Sequence, residues 1–345
     1  MAAASSSPST AVTSATRLMD SHGRVIHDLR VSITDRCNYK CVYCRTGEHG
    51  AQYPELAIDD YLRLIRLFVG LGIEKVRLTG GEPLLRHGLL DLIRELARLR
   101  TLHDEPLDLA LTTNGHLLDS MAAPLKEAGL NRITVSMDAV DAPTFERITR
   151  IPGSFQKVLS GGRAARDAGL TPLKINCVLL RGFNDSEIEG FARFAREENV
   201  VVRFIEFMPL EEGRLWSPEI VVPLSEIVER ISRDLPLTPL PPREASETAR
   251  RYTFPDGNGE IGIIAPVTQA FCGACSRVRL TSDGKIRTCL FSQVEHDLYG
   301  RMRAGESDAQ LAAFIVQTVN GKEARHHIGE PGFLKPSRSM VHIGG

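Results

Sequence analysis

The chain has 345 residues, of which 42% are hydrophobic and 25% charged, and its formal net charge is −1. This composition is typical of a globular protein, and the length predicts either two domains or one barrel with an appendage. The nearly balanced charge gives no reason to expect a nucleic-acid or membrane partner. No apolar run approaches the roughly 20 residues that a bilayer-spanning helix needs.

Residues 1–16 are rich in Ala, Ser and Thr and carry no charged side chain. They lack the basic and apolar regions of a secretory signal, so we predict a disordered tail over residues 1–17 and a cytoplasmic protein. Six of the seven cysteines form two triplets. In a chain of this size without a signal peptide, such cysteines favour metal binding or catalysis over a disulfide framework.

Between residues 29 and 210, short β-branched runs alternate with amphipathic segments. The predicted strands cover residues 29–34, 74–79, 108–113, 132–138, 173–180 and 201–208. The predicted helices cover roughly residues 59–71, 88–100, 118–128, 154–168 and 186–198. This alternation indicates parallel strands joined by crossover helices. Six such units predict a partial TIM-like barrel, two units short of a closed eightfold one.

The pattern changes after Pro209. Residues 236–242 are proline-rich and are typical of a linker. Short strands are predicted near 251–254, 260–265 and 277–290, the last with a hairpin turn at Asp283–Gly284, and a helix at about 308–320. We therefore predict an α/β fold, with a partial (βα)6 barrel over residues 18–240 closed by a small α+β domain over 241–345.

The first cysteine triplet, Cys37, Cys41 and Cys44, lies in the loop after the first predicted strand. Parallel barrels carry their chemistry at the carboxyl ends of the strands. Three thiolates on a 4Fe–4S cluster leave one iron open to chelate a substrate. Spacing alone also allows a zinc site completed by a distant histidine, or plain buried cysteines.

A second motif, Thr79-Gly80-Gly81-Glu82-Pro83, follows the second strand, and its glycines let the backbone approach a ligand closely. Together the two motifs resemble the radical S-adenosylmethionine superfamily. The resemblance implies a 4Fe–4S cluster on the triplet, whose open iron binds S-adenosylmethionine and yields a 5′-deoxyadenosyl radical. It also implies four further contacts to S-adenosylmethionine, from Tyr43, Gly81, Ser136 and Met208.

The second triplet, Cys272, Cys275 and Cys289, lies in the C-terminal part. A lone CxxC is weak evidence, and a zinc site would need a fourth ligand, for which His296 is the candidate. A second 4Fe–4S cluster with an open iron is equally compatible with these residues.

Four basic residues, Arg30, Lys75, Arg77 and Lys174, lie at or near the starts of strands one, two and five. A single charge there ordinarily faces solvent. Four of them around one mouth of a barrel could instead hold a triphosphate, because arginine and lysine are the usual phosphate ligands. The chain contains no Walker sequence, so a nucleotide would not be held by a P-loop.

Several longer stretches, namely DLRVSITDRCNYKCVYC, VRLTGGEPLLR, LTTNG, FCGACSRVRLTSDGKIRTCL and the terminal Gly344-Gly345, resemble the GTP 3′,8-cyclase family of molybdenum-cofactor biosynthesis. The resemblance covers residues from about 29 to 345. It implies a lyase that converts GTP to (8S)-3′,8-cyclo-7,8-dihydroguanosine 5′-triphosphate, with the guanine on the second cluster.

The same resemblance implies roles for individual residues. Its GTP contacts are Arg30, Lys75, Arg77, Thr112, Lys174, Arg277 and Arg279, and its catalytic residues are Arg277, Arg279, Gly344 and Gly345. The implied partners are a reductant such as a flavodoxin or ferredoxin, cyclic pyranopterin monophosphate synthase as the next enzyme, and a second copy of the chain. Two alternatives stay open: another radical enzyme with an auxiliary cluster, such as a peptide-modifying maturase, and a non-catalytic zinc protein.

Overall fold

The computed structural model describes residues 17–44 and 51–343. The predicted tail, apart from Arg17, and the Gly344-Gly345 pair lie outside the described residues.

Within those two ranges the strands form one sheet of 12. They are β1 (Asp28–Ser32), β2 (Lys75–Thr79), β3 (Asp108–Thr113), β4 (Arg132–Ser136), β5 (Lys174–Leu179), β6 (Val201–Glu206), β7 (Thr238–Leu240), β8 (Arg250–Thr253), β9 (Glu260–Ile264), β10 (Arg277–Leu280), β11 (Lys285–Arg287) and β12 (His296–Asp297).

The helices follow the strands in chain order. They are α1 (Ile58–Gly70), α2 (Leu89–Ala97), α3 (Leu118–Glu127), α4 (Ala142–Thr149), α5 (Ser154–Asp167), α6 (Ile188–Glu197), α7 (Leu224–Asp234), α8 (Leu298–Arg303), α9 (Asp308–Asn320) and α10 (Met340–Ile343). In the described part of the chain the longest helix has 14 residues, and none has the length and apolarity that a bilayer crossing requires.

The six predicted strands β1–β6 are present, parallel and in sequential order. Strands of the C-terminal part continue the same sheet: β10 pairs in parallel with β1, and β9 pairs in parallel with β6. The sheet runs from β12 at one edge to β7 at the other. Closure of the barrel by the C-terminal part therefore stays a prediction.

Each crossover helix buries one apolar stripe against the sheet. In α1 the buried side chains include Tyr61, Leu64, Ile65 and Phe68, at the i, i+3, i+4 and i+7 spacing of one helix face. The continuous core also takes in residues of the C-terminal part, such as Ile263. The two predicted parts thus share one sheet and one core, and the boundary at residue 240 stays a prediction. The proline-rich segment 236–242 contains β7.

Candidate active site

A cavity of about 310 Å³ lies where the carboxyl ends of the parallel strands meet the C-terminal part of the chain. All six cysteines of the two triplets line it. The other predicted site residues in its lining are Arg30, Tyr43, Arg77, Gly81, Thr112, Ser136, Met208, Arg277 and Arg279. Residues separated by more than 200 positions thus converge on one space of ligand size.

The first triplet is held by the backbone around it. The Tyr39 amide donates a hydrogen bond to the Cys37 Sγ at 3.4 Å, and the Cys44 amide donates to the Cys41 carbonyl at 3.0 Å. All three cysteines are thiols rather than disulfides and are partly exposed. Three thiols that line one cavity are the donor set of an iron–sulfur cluster with one iron left for another ligand.

The Gly80-Gly81 turn packs directly on the backbone that leads to Cys37. The Gly81 amide donates to the Thr34 carbonyl at 2.8 Å. A Cβ on Gly81 would lie 2.3 Å from the carbonyl oxygen of Arg36, so a larger residue would push the two loops apart. Gly80 adopts φ 153, which glycine adopts readily, and a Cβ there would lie 2.3 Å from the Thr34 carbonyl.

Glu82 fixes this turn to the next strand. Its fully buried carboxylate accepts hydrogen bonds from the Leu84 amide (2.9 Å), the Thr113 hydroxyl (2.7 Å) and the Asn114 amide (2.7 Å). Burial raises the pKa of Glu82 to about 7. The loops after β1, β2 and β3 therefore form one connected support for the first triplet.

Asp138 lies just beyond β4 on the same edge. The Tyr43 hydroxyl donates to its Oδ2 at 2.7 Å, and the Val178 amide donates to its Oδ1 at 2.9 Å. Burial raises the pKa of Asp138 to about 6. No role for Asp138 was predicted from the sequence, although its position two residues after Ser136 places both side chains on the same face, since strand side chains alternate.

The side chains around the second triplet carry more positive charge than those around the first. The Arg277 Nη2 donates to the Cys275 Sγ at 3.3 Å. Burial alone would raise the pKa of the Cys275 thiol, but Arg277 and Lys322 lower it to about 7. Lys322, which the sequence analysis missed, lines the cavity and is 4% exposed, with its Nζ donating to the Thr288 carbonyl. His296 of β12 pairs with Ile286 of β11, and its ring lies edge-on to Phe314 with the ring centroids 6.4 Å apart.

Three arginines lie side by side across neighbouring strands. Arg279 of β10 is in register with Arg30 of β1, which is in register with Arg77 of β2. Burial, together with the charges of Arg277 and Arg77, lowers the pKa of Arg30. Its buried Nε has no hydrogen-bond partner among the described residues. Such a row of buried like charges is unfavourable unless an anion lies beside it.

Arg203 of β6 extends this cationic surface and was also missed. Its Nη2 donates to the Thr134 hydroxyl at 3.1 Å, and its Nε is buried without a hydrogen-bond partner in the described part of the chain. The signal was available: Val202 and Phe204 are buried on one face of β6, so Arg203 and Ile205 point to the other. Arg203 is a charged residue within an otherwise mostly apolar strand, and this pattern indicates a functional residue.

The two predicted lysines lie apart from the described cavity lining. The Lys75 Nζ forms an ion pair with Glu244, at 2.6 Å from its Oε1. Burial and the nearby Arg203 and Arg132 lower the pKa of Lys174 to about 7. Their contacts with GTP stay a prediction, as does the role of Gly344 and Gly345 outside the described residues.

The described lining of the cavity carries more positive than negative side chains. Among the described residues, the cations in its lining are Arg30, Arg77, Arg203, Arg277, Arg279 and Lys322, and the carboxylates are Asp138 and Glu206. Glu206 accepts hydrogen bonds from the Val267 and Thr268 amides, which partly neutralise it. The excess of positive charge suits a ligand with several negative charges.

Comparison with protein families gives two matches along the chain. Residues 31–195 match the model of the radical SAM superfamily, in which SAM is S-adenosylmethionine, and residues 200–328 match the model called Molybdenum Cofactor Synthesis C. Proteins named GTP 3′,8-cyclase from Moorella thermoacetica, Rhodopirellula baltica and Corynebacterium glutamicum are each 44% identical to this chain. The matches cover 95% of this chain and 100%, 92% and 89% of those proteins, respectively.

Solved structures of Streptococcus suis SuiB are similar in fold. SuiB bound to S-adenosylmethionine matches with a TM-score of 0.58 at 14% identity, covering 86% of this chain and 68% of SuiB. SuiB bound to its precursor peptide SuiA matches with a TM-score of 0.59 at 15% identity, covering 87% and 67%. At these identities the likeness shows the fold alone and gives no support to a peptide substrate here.

Proposed function

This chain belongs to the GTP 3′,8-cyclase family of radical S-adenosylmethionine enzymes, and from that premise we propose that it performs the first step of molybdenum-cofactor biosynthesis. It converts GTP to (8S)-3′,8-cyclo-7,8-dihydroguanosine 5′-triphosphate and releases 5′-deoxyadenosine and methionine. Two 4Fe–4S clusters and S-adenosylmethionine are its cofactors.

One observation carries the proposal: the two cysteine triplets line one cavity together with arginines of neighbouring strands. The six cations of the described lining outnumber its two carboxylates, and this excess favours a polyanionic ligand over a peptide or a plain zinc site. GTP is such a polyanion, with phosphates that suit the arginines and a guanine that is proposed to bind at the second triplet.

The first triplet and its surroundings hold S-adenosylmethionine in this proposal. Cys37, Cys41 and Cys44 would hold the cluster, and Tyr43, Gly81, Ser136 and Met208, which all line the cavity, contact S-adenosylmethionine itself. When bound, the cluster on this triplet supplies the electron that splits S-adenosylmethionine, which is chemistry that the side chains themselves cannot supply.

The arginine row holds GTP. Arg30, Arg77 and Arg279 face the phosphates together with Thr112, which accepts from Arg77 at 3.3 Å, and Arg203 joins them from β6. Lys75 at the start of β2 and Lys174 at the start of β5 add charge beyond the arginines, and Arg277 lies beside the second triplet, where the guanine binds. Arginine suits this task because its planar fork pairs with two phosphate oxygens at once.

The chain's own contribution to catalysis is positioning. A ligand fixed between the two triplets presents its C3′ to the radical source, and reaction distance governs such steps steeply. Arg277 and Arg279, which line the cavity on the side of the second triplet, are proposed as the catalytic side chains, and the Gly344-Gly345 tail is assigned to the same site. Buried walls exclude water that would compete for the reactive species.

An anaerobic assay tests this function. Protein reconstituted with iron and sulfide would be given dithionite and S-adenosylmethionine, with GTP, with ATP or with no nucleotide. We expect 5′-deoxyadenosine and a cyclised product with GTP only. The Cys37→Ser variant should form neither, whereas Cys177→Ala should stay active, because Cys177 is buried in β5 outside both triplets. Equal 5′-deoxyadenosine with every nucleotide would exclude GTP as the substrate.

The wider setting follows from the same function. A flavodoxin or ferredoxin supplies the electron, and cyclic pyranopterin monophosphate synthase receives the product. Two copies of the chain form a homodimer. The seven cysteines are thiols rather than disulfides, which suits the reducing cytoplasm, where thiols stay available to bind iron.

A further inference from the structure

The last described segment, Arg338–Ile343, forms part of the cavity wall. It contains α10, and its Met340 and Val341 line the cavity. The Met340 amide donates to the Leu210 carbonyl at 2.8 Å, which joins the segment to the chain beyond β6. The segment leads directly to Gly344 and Gly345, which the proposed function assigns to the same site, but that assignment does not say which side chain holds the segment in place.

Arg338 is the side chain that holds it. It is only 3% exposed. Its two terminal nitrogens donate to the two carboxylate oxygens of Asp283, both at 2.8 Å, and Nη2 also lies 2.6 Å from the Glu295 Oε2. On its other side the guanidinium carbon lies 3.8 Å from the ring centroid of Tyr53. A bidentate ion pair with an aromatic stack is a geometry that arginine makes and lysine does not.

The partners of Arg338 belong to the two cysteine regions. Asp283 lies in the turn of the β10–β11 hairpin, whose two strands lead to Cys275 and Cys289. Tyr53 lies in the segment after the first triplet, and its amide donates at 2.9 Å to Asp35, two residues before Cys37. One buried arginine therefore contacts both halves of the site.

A second contact strengthens the junction on the side of the first triplet. The His342 ring packs edge-on against Tyr53, with the ring centroids 5.2 Å apart. The Ser339 hydroxyl lies 3.1 Å from the His342 Nδ1, so the segment also braces itself internally. Removing Arg338 would leave Asp283 with a cation, because Lys285 lies 3.4 Å away, so the hairpin itself should persist.

We propose that Arg338 is a positioning residue that clamps the segment Arg338–Ile343 between the β10–β11 hairpin and Tyr53, and so keeps the two cysteine triplets in mutual register. The proposal rests on the proposed function, in which a radical made at one triplet must react with a ligand held at the other. A displacement of about 1 Å can reduce such a reaction a hundredfold while radical formation continues. Loss of the contacts of Arg338 should therefore leave radical formation at the first triplet intact while it slows the reaction of that radical with the ligand at the second.

The protein contains a reporter of this clamp that needs no turnover. Trp216 is the only tryptophan in the sequence. It packs with Met340 against the apolar cluster formed by Leu210, Phe291 and Ile343, and its Nε1 donates to the Phe207 carbonyl at 2.9 Å. Release of the segment would expose the indole and shift its emission to longer wavelength.

The test compares Arg338→Met with Arg301→Met in the full-length chain. Arg301 is a matched control, because it also combines an ion pair (Glu306, 2.9 Å) with an aromatic face (Phe314, 4.3 Å), but on the surface. We expect Arg338→Met to shift the Trp216 emission before iron loading. After loading, it should raise the ratio of 5′-deoxyadenosine to cyclised GTP about tenfold. Arg301→Met should change neither.

Two more variants keep the proposal testable if Arg338→Met does not fold. Tyr53→Leu removes the stack and leaves the ion pair, and Asp283→Asn weakens the ion pair and leaves the stack; both should raise the ratio. Combining Asp283→Asn with Arg338→Met should add little to Arg338→Met alone, because the two residues act as one unit. Wild-type emission and ratio in all variants, or independent effects of Asp283 and Arg338, would overturn the proposal. If the wild-type protein forms no cyclised GTP, the proposed function fails, while the emission still decides whether Arg338 holds the segment.

Discussion

The two cysteine triplets reach one cavity by different structural means. The first lies in a loop after β1 that is supported by other loops, through the glycine turn after β2 and the buried Glu82. The second is carried by the hairpin of β10 and β11, which belongs to the sheet itself. A loop supported only by loops depends on every contact around it, whereas a hairpin within a sheet brings its own backbone ladder.

The charges around the two triplets differ in the same way. Burial and the nearby Asp138 raise the pKa of Cys41, whereas Arg277 and Lys322 overcome burial to lower the pKa of Cys275. A carboxylate beside the first triplet suits the positively charged sulfonium of S-adenosylmethionine. The arginines that extend from the second triplet across β10, β1 and β2 suit GTP, whose guanine is proposed to bind at that triplet and whose phosphates are proposed to lie along the arginine row. Electrostatics alone would thus direct each ligand to its own end of the cavity.

The largest expected effect comes from removing one cysteine of either triplet, because the two triplets are proposed to support different steps of the reaction. Cys275→Ser should abolish the cyclised product but keep slow, nucleotide-independent formation of 5′-deoxyadenosine, because the first triplet is intact. Cys41→Ser should abolish both. Iron analysis should give about four irons per chain in each variant against about eight in the wild type. Loss of 5′-deoxyadenosine in Cys275→Ser would mean that the two ends do not act separately.

A smaller effect is expected from the cationic end. Arg203→Gln should weaken GTP binding by about 1.5–3 kcal/mol, which is roughly ten- to a hundredfold, because it removes charged hydrogen bonds. The same change should raise the melting temperature of the nucleotide-free protein, since it relieves repulsion with Arg77 and Arg30. Calorimetric GTP binding and thermal melts measure both. Arg63→Gln, at an exposed ion pair with Asp308, is the control that should leave GTP binding unchanged.

Much of the fold was visible in the sequence because local periodicity encodes it. The six predicted strands and the helix at 308–320 are confirmed within a few residues. The helix α4 was missed although it has a start signal, since the Asp141 side chain accepts from the Thr144 amide at 2.9 Å. The pairing of β10 with β1 could not be predicted from the sequence, because a local pattern does not indicate which distant strand will pair with a given strand.

The residues of the site also fall into two groups: those that the sequence predicted and those that only the structure revealed. Spacing identified both cysteine triplets, because ligands close in sequence must be close in space. Arg203 and Lys322 were missed, since their meaning lies in which distant groups they face. Arg30 and Arg77 were predicted from their positions at the starts of strands one and two, but only the sheet register brings them beside Arg279.

The next effect in size, below that of Arg203→Gln, is expected at the first triplet from Asp138→Asn. The variant loses the charge that accepts the Tyr43 hydroxyl, so we expect S-adenosylmethionine to bind about tenfold more weakly, a change of about 1.5 kcal/mol. GTP binding should not change. Asp141→Asn, three residues away at the start of α4, is the matched control for S-adenosylmethionine affinity. Weaker GTP binding in Asp138→Asn would contradict the division of the cavity into two electrostatic ends.

The smallest expected effect is a pH dependence at Lys174. Burial and neighbouring arginines lower its folded-state pKa to about 7, below its ordinary 10.5, so between these values the folded chain binds fewer protons than the unfolded chain. The free energy of unfolding should therefore rise with pH across that window. A bound triphosphate favours the protonated amine, so GTP affinity should instead fall from pH 7.5 to 9.5. Lys174→Met should flatten both trends, and an unchanged pH dependence of GTP affinity in that variant would place Lys174 outside the phosphate site.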